Sequence, residues 1–140
     1  MKKLILVSII IILVGCSKEE NPTILPVQVE ESIYGKWFYK EIIVNNITIP
    51  YDDHEPCGKD YIEFYEENKI RGVDIWDCQQ DIDWIGTFLK TNTNLTIYNG
   101  GQSRTVEIVE LNTNSLIYKY DYDDNNDGIN EKYIEKFTRQ

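Results

Sequence analysis

From Tyr34 onward the chain shows no sustained apolar repeat of 3.6 residues. Short runs rich in Ile, Val, Tyr, Phe and Thr recur instead about every ten residues, each bounded by Asn, Asp or Gly. Apolar side chains at period two suit a pleated strand with one buried face, and the bounding residues suit turns. The pattern predicts strands over residues 35–44, 47–50, 60–66, 69–76, 82–90, 94–98, 104–111, 115–122 and 130–138. The connections are short, so neighbours should pair as an antiparallel meander. About eight such strands must close or sandwich to remove long edges, and a meander closes most simply as an up-and-down barrel. The predicted fold is all-β, an antiparallel up-and-down barrel of about eight strands.

The first thirty residues follow a different pattern. Met1-Lys2-Lys3 leads an apolar run from Leu4 to Val14, and Gly15-Cys16-Ser17 ends it with an abrupt return to polarity. Positive, apolar, then small is the order of a secretory signal. An apolar stretch of that length rises only about 16 Å as a helix, short of the roughly 30 Å hydrocarbon core. Leu13-Val14-Gly15-Cys16 resembles the lipobox at which bacterial lipoproteins are diacylated on cysteine and cleaved before it. That resemblance implies a signal peptide over 1–15 and a mature chain that starts at Cys16, anchored to a membrane by its lipid. Two or three acyl chains, at about 0.8 kcal/mol per buried methylene, hold where a single chain would not. Ser17-Lys18-Glu19-Glu20 with Asn21, Pro22 and Pro26 carries no strand or helix period, so 16–32 is expected to be the lipidated end and an extended tether. Cys16-Ser17-Lys18-Glu19-Glu20 is also similar to the surface-export signal of Bacteroidetes lipoproteins, while an ordinary linker explains the same residues. The expected location is the outer membrane, on its periplasmic or cell-surface face.

Charge and cysteines narrow the partners. The 140-residue chain carries 14 basic and 24 acidic residues, a net charge of −10. Without Lys2 and Lys3 the balance is 12 against 24, a charge of −12 from Cys16 onward. Such a domain repels nucleic acid, which is excluded as a partner. With Cys16 lipidated, Cys57 and Cys78 remain as an even pair in an oxidising compartment and should form a disulfide. They lie symmetrically about Glu67-Asn68, the expected tip of a hairpin. Pairing about that tip sets Glu66 opposite Lys69, Ile62 opposite Val73, and the cysteines opposite each other beyond the strand ends.

Tyr34-Gly35-Lys36-Trp37-Phe38-Tyr39 opens the first strand, and its Gly35-x-Trp37 resembles the signature that opens the first strand of lipocalins. With the meander, the stapled hairpin and the last strand Tyr133-Ile134-Glu135-Lys136-Phe137-Thr138-Arg139, residues 33–140 resemble the lipocalin-like domains of small Bacteroidetes lipoproteins. The resemblance implies that Trp37 plugs the closed end of the barrel with a basic residue, Arg139, across it, and that the interior takes a small apolar or amphipathic ligand. The chain departs from larger lipocalins in lacking a helix before its last strand. An interior filled by side chains, on a scaffold that meets an envelope protein through its loops, is the alternative function.

Three local patterns bear on chemistry. Asp123, Asn125 and Asp127 with Gly128, the Ile129 carbonyl and Glu131 match the first half of a calcium loop, whereas the twelfth position is Ile134 and the flanks are strands. A polar hairpin tip accounts for the same residues without metal. The readings are therefore no cofactor, or one structural calcium. Asp52-Asp53-His54-Glu55 holds the only histidine but no second strong ligand at a known spacing, and reads as an acidic solvated loop. Arg71 shares a strand face with Val73 and Ile75. If that face is inward, Arg71 meets an acidic head group. If a bulge turns it out, it meets water. Most of the aromatic residues on the predicted strands, among them Trp37, Phe64, Trp76 and Phe88, are expected to build the core. Nothing resembles a nucleophile elbow, a catalytic carboxylate pair or a phosphate-cradling loop, so no enzyme is expected.

Overall fold

The computed structural model describes residues 31–139, and nine strands make up its regular structure: β1 Gly35–Val44, β2 Ile47–Pro50, β3 Tyr61–Tyr65, β4 Lys69–Trp76, β5 Gln79–Thr91, β6 Asn94–Asn99, β7 Gln102–Leu111, β8 Ser115–Tyr122 and β9 Glu131–Thr138. The leader, Cys16 and the tether as far as residue 30 lie outside the described residues. Each strand pairs antiparallel with the next from β3 to β9, and β9 returns to β1, with Val44 opposite Tyr133 and Phe38 opposite Thr138. The opposite edge of β1 is shared, Gly35 to Phe38 pairing with β3 and Glu41 to Val44 with β2. Eight strands thus close a lipocalin-like barrel, and β2 extends its rim. The described residues contain no helix, as the departure from larger lipocalins implies.

The turns show why the chain reverses where it does. Asn45-Asn46, Asp77-Cys78 and Gly100-Gly101 each join directly paired strands with both residues at positive φ. That backbone twist matches the twist of the strands, and Asn, Asp and Gly adopt it at little cost. The Asp77-Cys78 turn starts β5 at Gln79, three residues before the predicted start, because Gln79 to Asp83 form a polar, exposed length of strand with no hydrophobic alternation to announce it.

The β3–β4 register differs by one residue from the symmetric pairing. Glu67 and Asn68 form the tip, both at positive φ, but the ladder closes with Tyr65 opposite Lys69, leaving Glu66 extra. Ile62 therefore faces Gly72, Phe64 faces Ile70 and Glu63 faces Arg71. The symmetric register would have set Phe64 against Arg71 and taken a guanidinium into the core. A one-residue slip exchanges the faces of a strand, and burial decides between them.

The Cys57–Cys78 disulfide forms, with Cα atoms 5.6 Å apart. Cys78 belongs to the β4–β5 turn and Cys57 to the 51–60 segment that leads into β3, so the bridge joins the two segments that flank the β3–β4 hairpin beyond its strand ends. The cross-link spans a sequence separation of 21, for which chain entropy gives about 3 kcal/mol. Replacing both cysteines with serine is expected to lower the unfolding free energy by roughly that amount, read from urea denaturation with the m-value fitted separately for each protein, since the uncross-linked unfolded chain exposes more surface.

The core fills one end of the barrel. Trp37, Phe64, Ile70, Leu95, Leu116 and Phe137 are all buried there, with Ile33 packed beneath. The indole Nε1 of Trp37 donates to the Ile33 carbonyl at 2.7 Å, and the Arg139 guanidinium lies 4.3 Å from the centre of its ring. Arg139 Nη2 donates onward to the carbonyls of Ser32 and Tyr34. Trp37 and Arg139 thus take the places that the family resemblance implies. Trp76, counted toward the core from sequence, is 69% exposed at the end of β4.

Candidate functional site

Beyond that plug the interior stays open. A cavity of about 820 Å³ runs from Ile62 and Ile70 to the opposite end of the barrel, where Asn99, Gln102, Asp121 and Tyr122 form its mouth. Its size lies within the roughly 300–1,000 Å³ range of small-molecule sites.

Two walls of different chemistry face each other. On one side stand Ile62, Ile70, Trp84, Ile97 and Val106. Trp84 lies flat there because its cross-strand partner is Gly72, where a Cβ would overlap the indole. The other wall comes from β1, β7, β8 and β9 and carries Tyr39, Arg104, Tyr118 and Glu135. Strand alternation explains this grouping: Tyr118, Tyr120 and Tyr122 repeat at period two on β8, and Tyr133, Glu135 and Phe137 on β9, with Tyr118 opposite Glu135 and Tyr120 opposite Tyr133.

Both Glu135 oxygens accept hydrogen bonds from phenols, Oε2 from Tyr118 at 2.8 Å and Oε1 from Tyr120 at 2.5 Å. Burial first, then the Glu135 charge, pushes the Tyr118 and Tyr120 hydroxyls well above the ordinary phenol range, so both remain donors. Burial and the same carboxylate act alike on Tyr39. Nearer the mouth, Arg104 lies over the rings of Tyr120 at 4.7 Å and Tyr122 at 4.8 Å. Tyr120 is also stacked on Tyr133, with ring centres 5.2 Å apart. This arrangement holds the tyrosine wall rigid without a ligand.

The 51–60 loop braces the Tyr39 side. Tyr51 stacks on Tyr39 with ring centres 4.9 Å apart, and its hydroxyl donates to the buried Asp60 at 2.5 Å. The other Asp60 oxygen accepts the Ile75 amide at 2.8 Å. His54 bridges the Tyr39 carbonyl, at 2.8 Å, and the Asp60 amide, at 3.1 Å. The segment read as an acidic solvated loop is thus organised around its histidine, whose ring nitrogens both have backbone partners.

Two of the sequence candidates stand apart from the cavity. Arg71 is absent from its lining: it alternates with Ile70 on β4, faces outward, and binds Glu63 through Nε at 2.7 Å while lying over the Tyr65 ring. Its face is shared with Val73, as the sequence implies, but that face is the outer one, so Arg71 is not placed to meet a ligand inside. The acidic tip between β8 and β9 is a turn closed on itself. Asp123 accepts the amides of Asp127 and Gly128, Asn125 accepts that of Asp127, Asp127 accepts that of Ile129, and Glu131 accepts the Asp124 amide and the Asn125 side chain. Asn126 and Gly128 supply the left-handed positions. The five candidate ligand residues are brought into one loop, in which the side-chain oxygens of Asp123, Asn125 and Asp127 and one of Glu131 accept backbone amides. Asp123→Ala is expected to cost about 1 kcal/mol with chelator present, for two lost amide contacts. A urea midpoint that calcium raises in the parent and not in the variant would instead assign the loop to the ion. Among the described residues the one close grouping of three metal-ligating side chains is Glu55 with Cys57 and Cys78, whose sulfurs are bonded to each other.

Sequence reading missed Glu135, Tyr118, Tyr120 and Arg104 as a unit. The available signal was a glutamate at a core-phase position between Tyr133 and Phe137.

No protein-family model matches the chain, and no curated protein matches it. Among solved structures the barrel is similar to a lipocalin-like protein from Bacteroides uniformis ATCC 8492, with 11% identity, a TM-score of 0.56, and coverage of 76% of this chain and 97% of that one. It is similar also to an uncharacterized protein from Bacteroides eggerthii DSM 20697, with 11% identity, a TM-score of 0.53, and coverage of 74% and 98%. At such identity the likeness is one of fold.

Proposed function

We propose that this protein is a binding protein of the bacterial cell envelope, a lipid-anchored lipocalin-like barrel that holds one small amphipathic molecule. The observation that carries this reading is the cavity of about 820 Å³ with an aliphatic and tryptophan wall facing a tyrosine and glutamate wall. A ligand with an apolar body and a polar group satisfies both, since buried polar groups bind only what can pair with them. The same volume weighs against the alternative of a filled scaffold that acts through its loops. The wall chemistry suits binding, because Glu135 and its tyrosines are held by one another as a fixed polar surface.

Anchoring rests on Lys2-Lys3, the apolar run to Val14 and Cys16, and the Cys57–Cys78 bridge fits the oxidising compartment that export implies. The outer membrane is the proposed site, on either face, through lipid on Cys16. No calcium is required by this function.

Native mass spectrometry of the chain from residue 16 onward, carrying Cys16→Ser and purified without refolding, tests the binding reading. A co-purified small molecule is expected, and a bare mass that accepts no apolar probe would count against it. Fractionation tests the anchor: the full chain should sit in the membrane and its Cys16→Ser variant should not.

A further inference from the structure

The chemistry of the tyrosine wall goes further than an amphipathic ligand in general. Resting on the binding reading above, we propose that the ligand carries a cationic nitrogen, a protonated amine, which Glu135 receives while the apolar body lies along Trp84 and Ile97.

Glu135 is the charged group set deeper in the cavity. It faces Tyr118, which is 6% exposed, whereas the other charged lining residues, Arg104 and Asp121, sit toward the mouth. Those two are of opposite sign and offset each other at the entrance. Arg104 is also held against the Tyr120 and Tyr122 rings, so it does not reach inward to Glu135 as a counter-ion. The groups that do meet Glu135 are two phenol hydroxyls. They take one lone pair on each oxygen and leave the carboxylate its negative charge and roughly two further acceptor sites. A carboxylate that lines a cavity gains most from a donor that is also a cation.

Aromatic faces complete the match. Tyr39 and Tyr118 line the cavity beside Glu135, and an ammonium within about 6 Å of a phenol face is attracted by its quadrupole. An anionic ligand fares worse at each point: it would approach a chain of net charge −10, pass Asp121, and meet Glu135. The one cation it would find, Arg104, lies at the mouth, where water competes for it.

Isothermal titration of the chain from residue 16 onward, carrying Cys16→Ser, with three isosteric probes tests the assignment: 2-naphthylmethylamine, 2-naphthylmethanol and 2-naphthoate at neutral pH. The amine is expected to bind at least about tenfold tighter than the alcohol or the acid, the scale of one charge-assisted hydrogen bond. Glu135→Gln, which keeps an acceptor for the tyrosines, should erase the difference between amine and alcohol. Arg104→Gln, which removes the one cation of the lining among the described residues, should widen the preference for the amine over the acid. If the acid binds tightest and loses affinity in Arg104→Gln, or if all three bind alike, the cationic assignment is overturned while the binding reading stands. If none of the three binds, both are overturned.

Discussion

Trp37→Ala is expected to cost about 3–5 kcal/mol of unfolding free energy, the range for emptying a large aromatic site in a core. The indole is 0% exposed and is gripped from three directions: by Ile33 below, through the Nε1 hydrogen bond, by Arg139 across its face, and by the surrounding core side chains. Alanine removes the ring, leaves the Ile33 carbonyl without its donor, and strands the Arg139 guanidinium over a void. Against a typical stability of roughly 5–15 kcal/mol, much of the margin disappears. Trp37→Phe restores part of the volume but not the hydrogen bond, and should fall between the two. Urea denaturation followed by circular dichroism reads the effect. A loss below about 1 kcal/mol for the alanine variant would mean that the barrel floor is held by something other than this residue.

The outline of this fold was legible because nearly every strand alternates an apolar with a polar side chain, and nearly every turn is spelled in Asn, Asp or Gly. β1, β2, β4 and β8 begin and end where the pattern predicts, and Trp37 is buried as a core residue. The failures have separate causes. The early start of β5 escaped notice because both of its faces are wet there. The β3–β4 register came out one residue wrong because symmetry about Glu67-Asn68 says nothing about which face Arg71 must avoid. Arg71 was open to either face from the sequence and faces outward, whereas Arg104 on β7, which the sequence reading did not single out, lines the cavity. The difference lies in which residues of a strand share its phase with buried neighbours: Ile70 is buried beside Arg71, and Val106 is buried two residues from Arg104. The cavity was not legible at all, since a filled and a hollow barrel use the same alternation. Its size depends on how far Trp84 folds over Gly72, a contact between strands that no local pattern encodes.

Raising the pH above about 10 is expected to unfold the domain through its interior tyrosines. In an unfolded chain tyrosine loses its proton near pH 10. In the barrel, burial first and then the Glu135 charge hold the Tyr118 hydroxyl well above that, and burial followed by Glu135, Asp83 and Asp60 does the same for Tyr39. A raised folded value means that the folded state binds more protons than the unfolded state between the two values, so stability must fall as pH rises through that window and is fully present below it. Each tyrosine kept protonated contributes a slope of about 1.4 kcal/mol per pH unit. Tyr118 and Tyr39 act in the same direction, so their slopes add over the window they share. The tyrosinate absorbance band should accordingly show a steep phase that coincides with loss of the β-sheet signal. Tyr118→Phe should weaken the steep phase, because a phenylalanine has no proton to lose and Tyr120 remains as a donor to Glu135. A single smooth titration of all the tyrosines with the sheet intact would show that the wall beside Glu135 is open to hydroxide, and that its hydroxyls are not held as this interior holds them.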